Sequence, residues 1–210
     1  EAGAVEFLVA QMRAAGLDAH VDEAGNAVGS VGAGPLTIML LGHIDTVPGF
    51  IPVTRDGDRL NGRGAVDAKG PLACFTAAAA RIRDRLGGRR VIVIGAVGEE
   101  GDSRGAHFVK DKYQPDFTII GEPSGWEKVT LGYKGSAWFG YQVRRALAHT
   151  SARNESACEA AVTFWNQVTA WAAARNAGQP KMFDQVSPTL RAMHSESDGF
   201  HETAELRFGL

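Results

Sequence analysis

Apolar positions in the first half of the chain fall into alternating helical and extended rhythms. Val5, Leu8, Val9 and Met12 follow the spacing of an amphipathic helix over 5–15, and Gly16 supplies a C-terminal stop. From 17 to 31 polar and apolar residues alternate around Gly25-Asn26, which predicts short edge strands joined by a turn. The uncharged run 36–41, ended by Gly42, reads as a buried strand. An alanine-rich stretch, 71–86, carries Pro71 in its first turn and predicts a helix packed closely on a sheet. Residues 91–97 predict a second buried strand, 104–112 a helix and 117–120 a third strand. Strands alternating with helices predict an α/β fold, a largely parallel sheet flanked by helices on both faces.

The pattern changes after about Trp126. Alternation over 129–143 predicts a long, half-exposed antiparallel strand. Ser156-x-x-Glu159 is a capping box opening a helix that runs to about Arg175, and Gly178-Gln179-Pro180 ends that element. Two strands follow, 189–194 and 202–210, with a turn at Asp198-Gly199. This divides the chain into an α/β part, 1–127, and an α+β part, 128–210.

Composition narrows the function classes. A formal charge of −2 over 210 residues gives no reason to expect nucleic acid or an anionic membrane as partner. No apolar run approaches the roughly 20 residues that span a bilayer. Cys74 and Cys158 lie far apart without metal-type spacing and read as reduced, cytoplasmic core residues.

The chemistry concentrates where the first-half strands end. His43-x-Asp45 follows the first buried strand, and period-2 alternation puts both side chains on one side, imidazole to a metal and carboxylate behind it. Asp67 sits in the glycine-rich turn Asn61-Gly62-Arg63-Gly64 to Gly70, Glu99-Glu100 follow the second strand, and Glu122 follows the third. One histidine and five carboxylates at one sheet edge would repel one another unless cations held them. Such a donor set suits zinc or similar metals, and a bridging carboxylate can hold two ions about 3.5–4 Å apart.

Those motifs, with Gly42-His43-Ile44-Asp45-Thr46-Val47-Pro48-Gly49 and Gly121-Glu122-Pro123, resemble the dinuclear-zinc aminoacylase and carboxypeptidase family. That family includes acetylornithine deacetylase and succinyl-diaminopimelate desuccinylase. The resemblance implies a zinc-exopeptidase-like α/β domain with an inserted α+β lid or dimerisation domain, and two Zn2+ or Co2+ ions. It implies that His43 and Glu122 bind one metal, Asp67 bridges and Glu100 binds the other. Asp45 would steady His43, Glu99 would be the general base, and the Asp67-Ala68 peptide would be cis. His149, in the lid-like part, would stabilise an oxyanion in the partner subunit of a homodimer. Gly132-Tyr133-Lys134-Gly135 and the segment 147–157 most resemble members that release lysine or ornithine from a small acidic amino-group carrier protein, with a small N-acyl amino acid as the alternative substrate. Lys128, Lys134, Arg144, Arg145 and Arg153 are candidates for a basic rim facing such a carrier.

The family's last metal-binding histidine follows the lid, so the resemblance implies a chain that stops inside the lid and is weakly active by itself. A rival enzyme reading rests on Gly101-Asp102-Ser103-Arg104-Gly105, which fits a nucleophile elbow with Asp184 or Asp198 and His194 or His201 as partners. A third reading is a non-catalytic metal-binding or dimerisation module.

Overall fold

In a computed structural model, all residues except 126, 150 and 153 are described. They form two compact units, Glu1–Val129 and Thr130–Leu210.

The first unit contains strands β1 (Asp18–Val21), β2 (Ala27–Gly32), β3 (Leu36–His43), β6 (Arg89–Ala96) and β7 (Phe117–Ile120). They form one sheet in the order β1-β2-β6-β3-β7. The three strands β6, β3 and β7 are parallel, whereas β1 and β2 extend the sheet antiparallel. Of the two strands predicted at an edge, only β1 lies there; β7 forms the opposite edge. Ala27 and Val28 on β2 are buried on opposite faces, so β2 is an interior strand and not the predicted edge. A separate hairpin pairs β4 (Thr54–Asp56) with β5 (Arg59–Asn61) around Gly57-Asp58.

Helices α1 (Ala2–Ala14) and α2 (Lys69–Ile82) cover one face of the sheet, and α3 (Arg104–Lys112) covers the other. The alternation of strand side chains sorts the core accordingly. Leu40, Val91 and Val93 meet Val5, Val9 and Met12 of α1 and Leu72 and Ala79 of α2. Met39, Ile92 and Ile94 meet Val109 of α3. Burying each such side chain contributes about 1.5–3 kcal/mol. A side chain at Gly95 would place its Cβ 2.9 Å from Leu8 and 3.3 Å from Leu72, so the missing Cβ is what lets both helices seat on β6.

Helix α1 ends as predicted. Gly16 takes φ 85°, its N–H reaches the Arg13 carbonyl, and the Leu17 N–H reaches that of Met12. Those two bonds satisfy the last-turn carbonyls, and L-residues other than glycine resist that φ. The cysteines correct their expected place in the core. Cys74 and Cys158 are free but exposed, because α2 turns Leu72, Thr76 and Ala79 inward and Cys74 points away from that stripe.

In the second unit β8 (Trp138–Ala146), β10 (His201–Gly209) and β9 (Thr189–Ser197) form an antiparallel sheet in that order. Helix α4 (Ala157–Asn176) lies on one face, with Ala157 and Ala161 against Ala204, Leu206 and Phe208. Tyr141 stacks on Phe164 with ring centroids 3.9 Å apart. The capping box is present in full, since Ser156 accepts from the Glu159 N–H and Glu159 accepts from that of Ser156. The expected strand over 129–143 is shorter. Pairing with β10 begins at Trp138, and alternation without a neighbouring strand does not make residues 129–136 extended ladder.

Candidate metal centre

Parallel register brings the chemistry together. His43, the last residue of β3, pairs with Ala96 at the end of β6, and Leu41 pairs with Ile120 at the end of β7. The chain leaves β3 through α2 to reach β6 on one side, and leaves β6 through α3 to reach β7 on the other. A sheet edge where connections part to opposite faces forms a crevice for ligands.

His43 is 1% exposed. Its Nδ1 lies 3.2 Å from the backbone oxygen of Asp45, and its Nε2 lies 2.8 Å from Asp67 Oδ1. Glu122 Oε1 and Glu99 Oε2 stand 3.7 and 4.0 Å from the same Nε2. Burial opposes protonation of His43, but the bond to Asp67 and the charges of Glu122, Glu99 and Asp45 outweigh it and raise the imidazole pKa. An Nδ1–H donated to the Asp45 carbonyl leaves Nε2 free to bind a cation.

Asp45 touches two elements. Its carboxylate is 3.5 Å from the His43 ring, and it accepts the backbone N–H of Glu99 at 3.1 Å and of Glu100 at 3.0 Å. Its firmest bonds therefore hold the acidic loop after β6, beside the contact with His43 that the resemblance implies. Asp67 is presented by a turn closed by Ala65 N–H to Gly62 O and Lys69 N–H to Gly64 O. The Asp67–Ala68 peptide is cis. Arg63 donates to the Gly49 carbonyl at 3.2 Å, joining this turn to the loop after His43.

Two donor groups result. The ligand atoms of His43, Asp67 and Glu122 lie within 4.8 Å of one another, and so do those of His43, Glu99 and Glu100. Burial raises the Glu122 pKa, His43 lowers it, and the charges of Glu99, Asp67 and Glu100 raise it further. That surplus of negative charge around one imidazole nitrogen is what divalent cations would neutralise, and nitrogen with carboxylate oxygen is a donor set for zinc and its neighbours. The residues fit such ions.

The remaining candidates lie elsewhere. His149 is an exposed residue of the second unit whose Nδ1 contacts Ser151 Oγ at 2.9 Å and accepts the Ser151 N–H. It borders a cavity of about 820 Å³ that Asn154, Glu155, Glu159 and Glu202 also line. Three cations of the expected basic rim are already engaged. Arg144 pairs with Asp198, Arg145 with Glu155, and Lys134 donates to the carbonyls of Met182 and Gln185 and to Ser187. Arg153, with Thr150 of the segment 147–157 and Trp126, lies outside the described residues. Ser103 takes φ 53° at the start of α3, but its hydroxyl donates to the Glu99 carbonyl at 3.4 Å and has no histidine partner among the described residues. Asp198 and His201 are partners of each other and of Arg144 in the β9–β10 turn. The turn reading of Gly25-Asn26 also overlooks that Asn26 is completely buried.

The chain is 45% identical over 210 residues to a LysW-lysine hydrolase of Deinococcus radiodurans, covering 97% of this chain and 58% of that protein. It is 38% identical over 120 residues to a LysW-lysine/LysW-ornithine hydrolase of Sulfurisphaera tokodaii, covering 57% of this chain and 34% of the relative. The chain thus spans little more than half the length of the first of these relatives, and less of the second. Among solved structures it resembles a dinuclear metal-binding peptidase of Bacillus subtilis from family M20, with a TM-score of 0.59 at 10% identity over 100% of this chain and 58% of the other. At that identity the likeness speaks for the fold. The profile of peptidase family M20/M25/M40 matches residues 39–206, and the chain belongs to that family.

Proposed function

We propose that this chain is part of a cytoplasmic, metal-dependent amide hydrolase that releases lysine or ornithine from a small acidic amino-group carrier protein in amino-acid biosynthesis. The observation that carries the reading is the buried His43 Nε2 ringed by Asp67, Glu99 and Glu122 at one sheet edge. The names of the relatives supply the substrate class.

In this reading His43, Asp67 and Glu122 would hold one ion and Glu100, together with Asp67, would hold a second; zinc is the metal expected, with cobalt as a substitute. When bound, the ions supply positive charge that polarises an amide carbonyl and eases deprotonation of water. Glu99 takes the proton of the attacking water on its carboxylate and returns it to the departing amine. Asp45 keeps the Glu99 and Glu100 amides in place. The second unit is the lid and dimerisation domain, from which His149 donates a hydrogen bond to the developing oxyanion in the partner subunit.

The test uses the whole protein that contains this chain, dialysed against chelator and reloaded with Zn2+ or Co2+. It is offered the acidic carrier charged with lysine or with ornithine, beside N-acetyl-lysine and N-acetyl-ornithine. Free amino acid released mainly from the carrier supports the proposal. Release only from the N-acetyl compounds would move the assignment to a deacetylase, and no release from any of them would sink it.

A further inference from the structure

Asn26 lies in the turn between β1 and β2, on the far side of β6 from β3, and is 0% exposed. Its polar atoms are all used. Oδ1 accepts the Val97 N–H at 3.0 Å, while Nδ2 donates to the Gly105 carbonyl at 3.2 Å and to Asp22 Oδ2 at 2.9 Å. Val97 is the residue after β6, and Gly105 lies in the first turn of α3. A single amide therefore grips both ends of the loop 98–104, whose ends are also joined directly by Gly105 N–H to Val97 O. That loop carries Glu99 and Glu100.

The surroundings hold the amide in one orientation. Asp22 Oδ1 accepts the backbone N–H groups of Ala24 and Asn26, which closes the turn and aims the Asn26 side chain at the loop. Gly105 has no room for a side chain, since a Cβ there would lie 2.2 Å from Asn26 Oδ1 and 2.6 Å from the Val97 nitrogen. The middle of the loop is pinned separately, by the Asp45 carboxylate on the Glu99 and Glu100 amides. Three points of attachment, Val97, Glu99-Glu100 and Gly105, leave the loop little freedom.

We infer that Asn26 is a positioning residue for the acidic pair: through Val97 and Gly105 it sets where Glu99 and Glu100 stand relative to His43. The inference rests on the metal reading above. Hydrogen-bonding partners that orient a ligand from behind typically account for 10- to 100-fold in metal affinity. The effect is selective, because His43, Asp67 and Glu122 sit at the ends of β3 and β7 and in the turn before α2, and among the described residues Asn26 hydrogen-bonds to none of these elements.

The probe is Co2+ alone, titrated into the metal-free whole protein that contains this chain and followed by its visible absorption, for wild type and Asn26→Asp. Aspartate keeps the shape and the Oδ1 acceptor but loses the donor to Gly105 and to Asp22, and sets a second carboxylate beside that of Asp22. A folded variant, judged by far-ultraviolet circular dichroism, is expected to bind Co2+ about 10- to 100-fold more weakly where Glu100 is the ligand, with an altered spectrum, and to keep binding at His43, Asp67 and Glu122. Unchanged affinity and spectrum in a folded, less heat-stable variant would make Asn26 a structural residue only and overturn the inference. Should Asn26→Asp not fold, Asp22→Asn, which leaves Asn26 in place, keeps the Oδ1 acceptor of the turn and removes the Oδ2 acceptor of its amide, is read by the same criteria. A wild-type whole protein that binds no Co2+ overturns the metal reading and this inference together, whereas equal binding by wild type and variant overturns this inference alone.

Discussion

His43 Nε2 and Asp67 Oδ1 are 2.8 Å apart although 24 residues separate them in the chain. One ends a buried strand and the other sits in a glycine-rich turn, and the direct bond marks where an ion would insert between imidazole and carboxylate. Asp67 stands in the same donor group as Glu122. Asp67→Ala is therefore expected to abolish metal that survives desalting. Elemental analysis of wild type and variant checks this, and equal content in the two would remove Asp67 from the site.

Glu99 lies 4.0 Å from His43 Nε2 and, as the proposed proton carrier, matters for turnover more than for ion binding. In the whole protein Glu99→Gln should retain its metal and lose on the order of 10²–10⁴ in kcat, the usual contribution of a positioned acid–base group. A variant that instead loses metal with turnover would make Glu99 a ligand.

The raised pKa of His43 gives two opposite pH dependences. Without metal, the protonated imidazole is stabilised by the fold, so its contribution is complete below the unfolded value of about 6.5 and is lost as pH rises through the folded pKa. Metal binding needs Nε2 deprotonated and so strengthens over the same rise. Urea midpoints of metal-free protein and Co2+ titrations between pH 6 and 8 should move in opposite senses, and His43→Asn should flatten the first.

Leu72 packs beneath Gly42 and Gly95 at the ends of β3 and β6, close to the donor atoms. Leu72→Ala should cost about 2–5 kcal/mol, the range for emptying a core site. Urea unfolding followed by circular dichroism measures it, and a loss below 1 kcal/mol would mean that α2 is not held through this contact.

Ser156→Ala removes the acceptor for the Glu159 N–H at the start of α4. About 1 kcal/mol of stability should go with it. Thermal unfolding of the second unit's signal, with Ser103→Ala as a control expected to leave both stability and turnover nearly unchanged, tests the cap and the nucleophile-elbow rival together.

Local chemistry was legible in the sequence wherever one segment settles its own structure. The Gly16 stop, the capping box at Ser156, the helix 104–112 and the apolar strands were readable because their causes lie within a few residues: a permissive φ, a reciprocal cap, a period of 3.6 or 2. The donor residues were nameable for the same reason, as they sit where apolar runs stop. What only the tertiary structure decided depends on distant partners. Whether 129–136 joins a ladder depends on β10, and whether β2 is an edge depends on β6. Whether Lys134, Arg144 and Arg145 are free cations depends on acceptors as many as 54 residues away. Asn26 reads as a turn residue in isolation, and its burial against Val97 and Gly105, 71 and 79 residues along, follows from the packing of β2 on β6. A side chain's type limits the bonds it can make, but the three-dimensional neighbourhood chooses which of them are made.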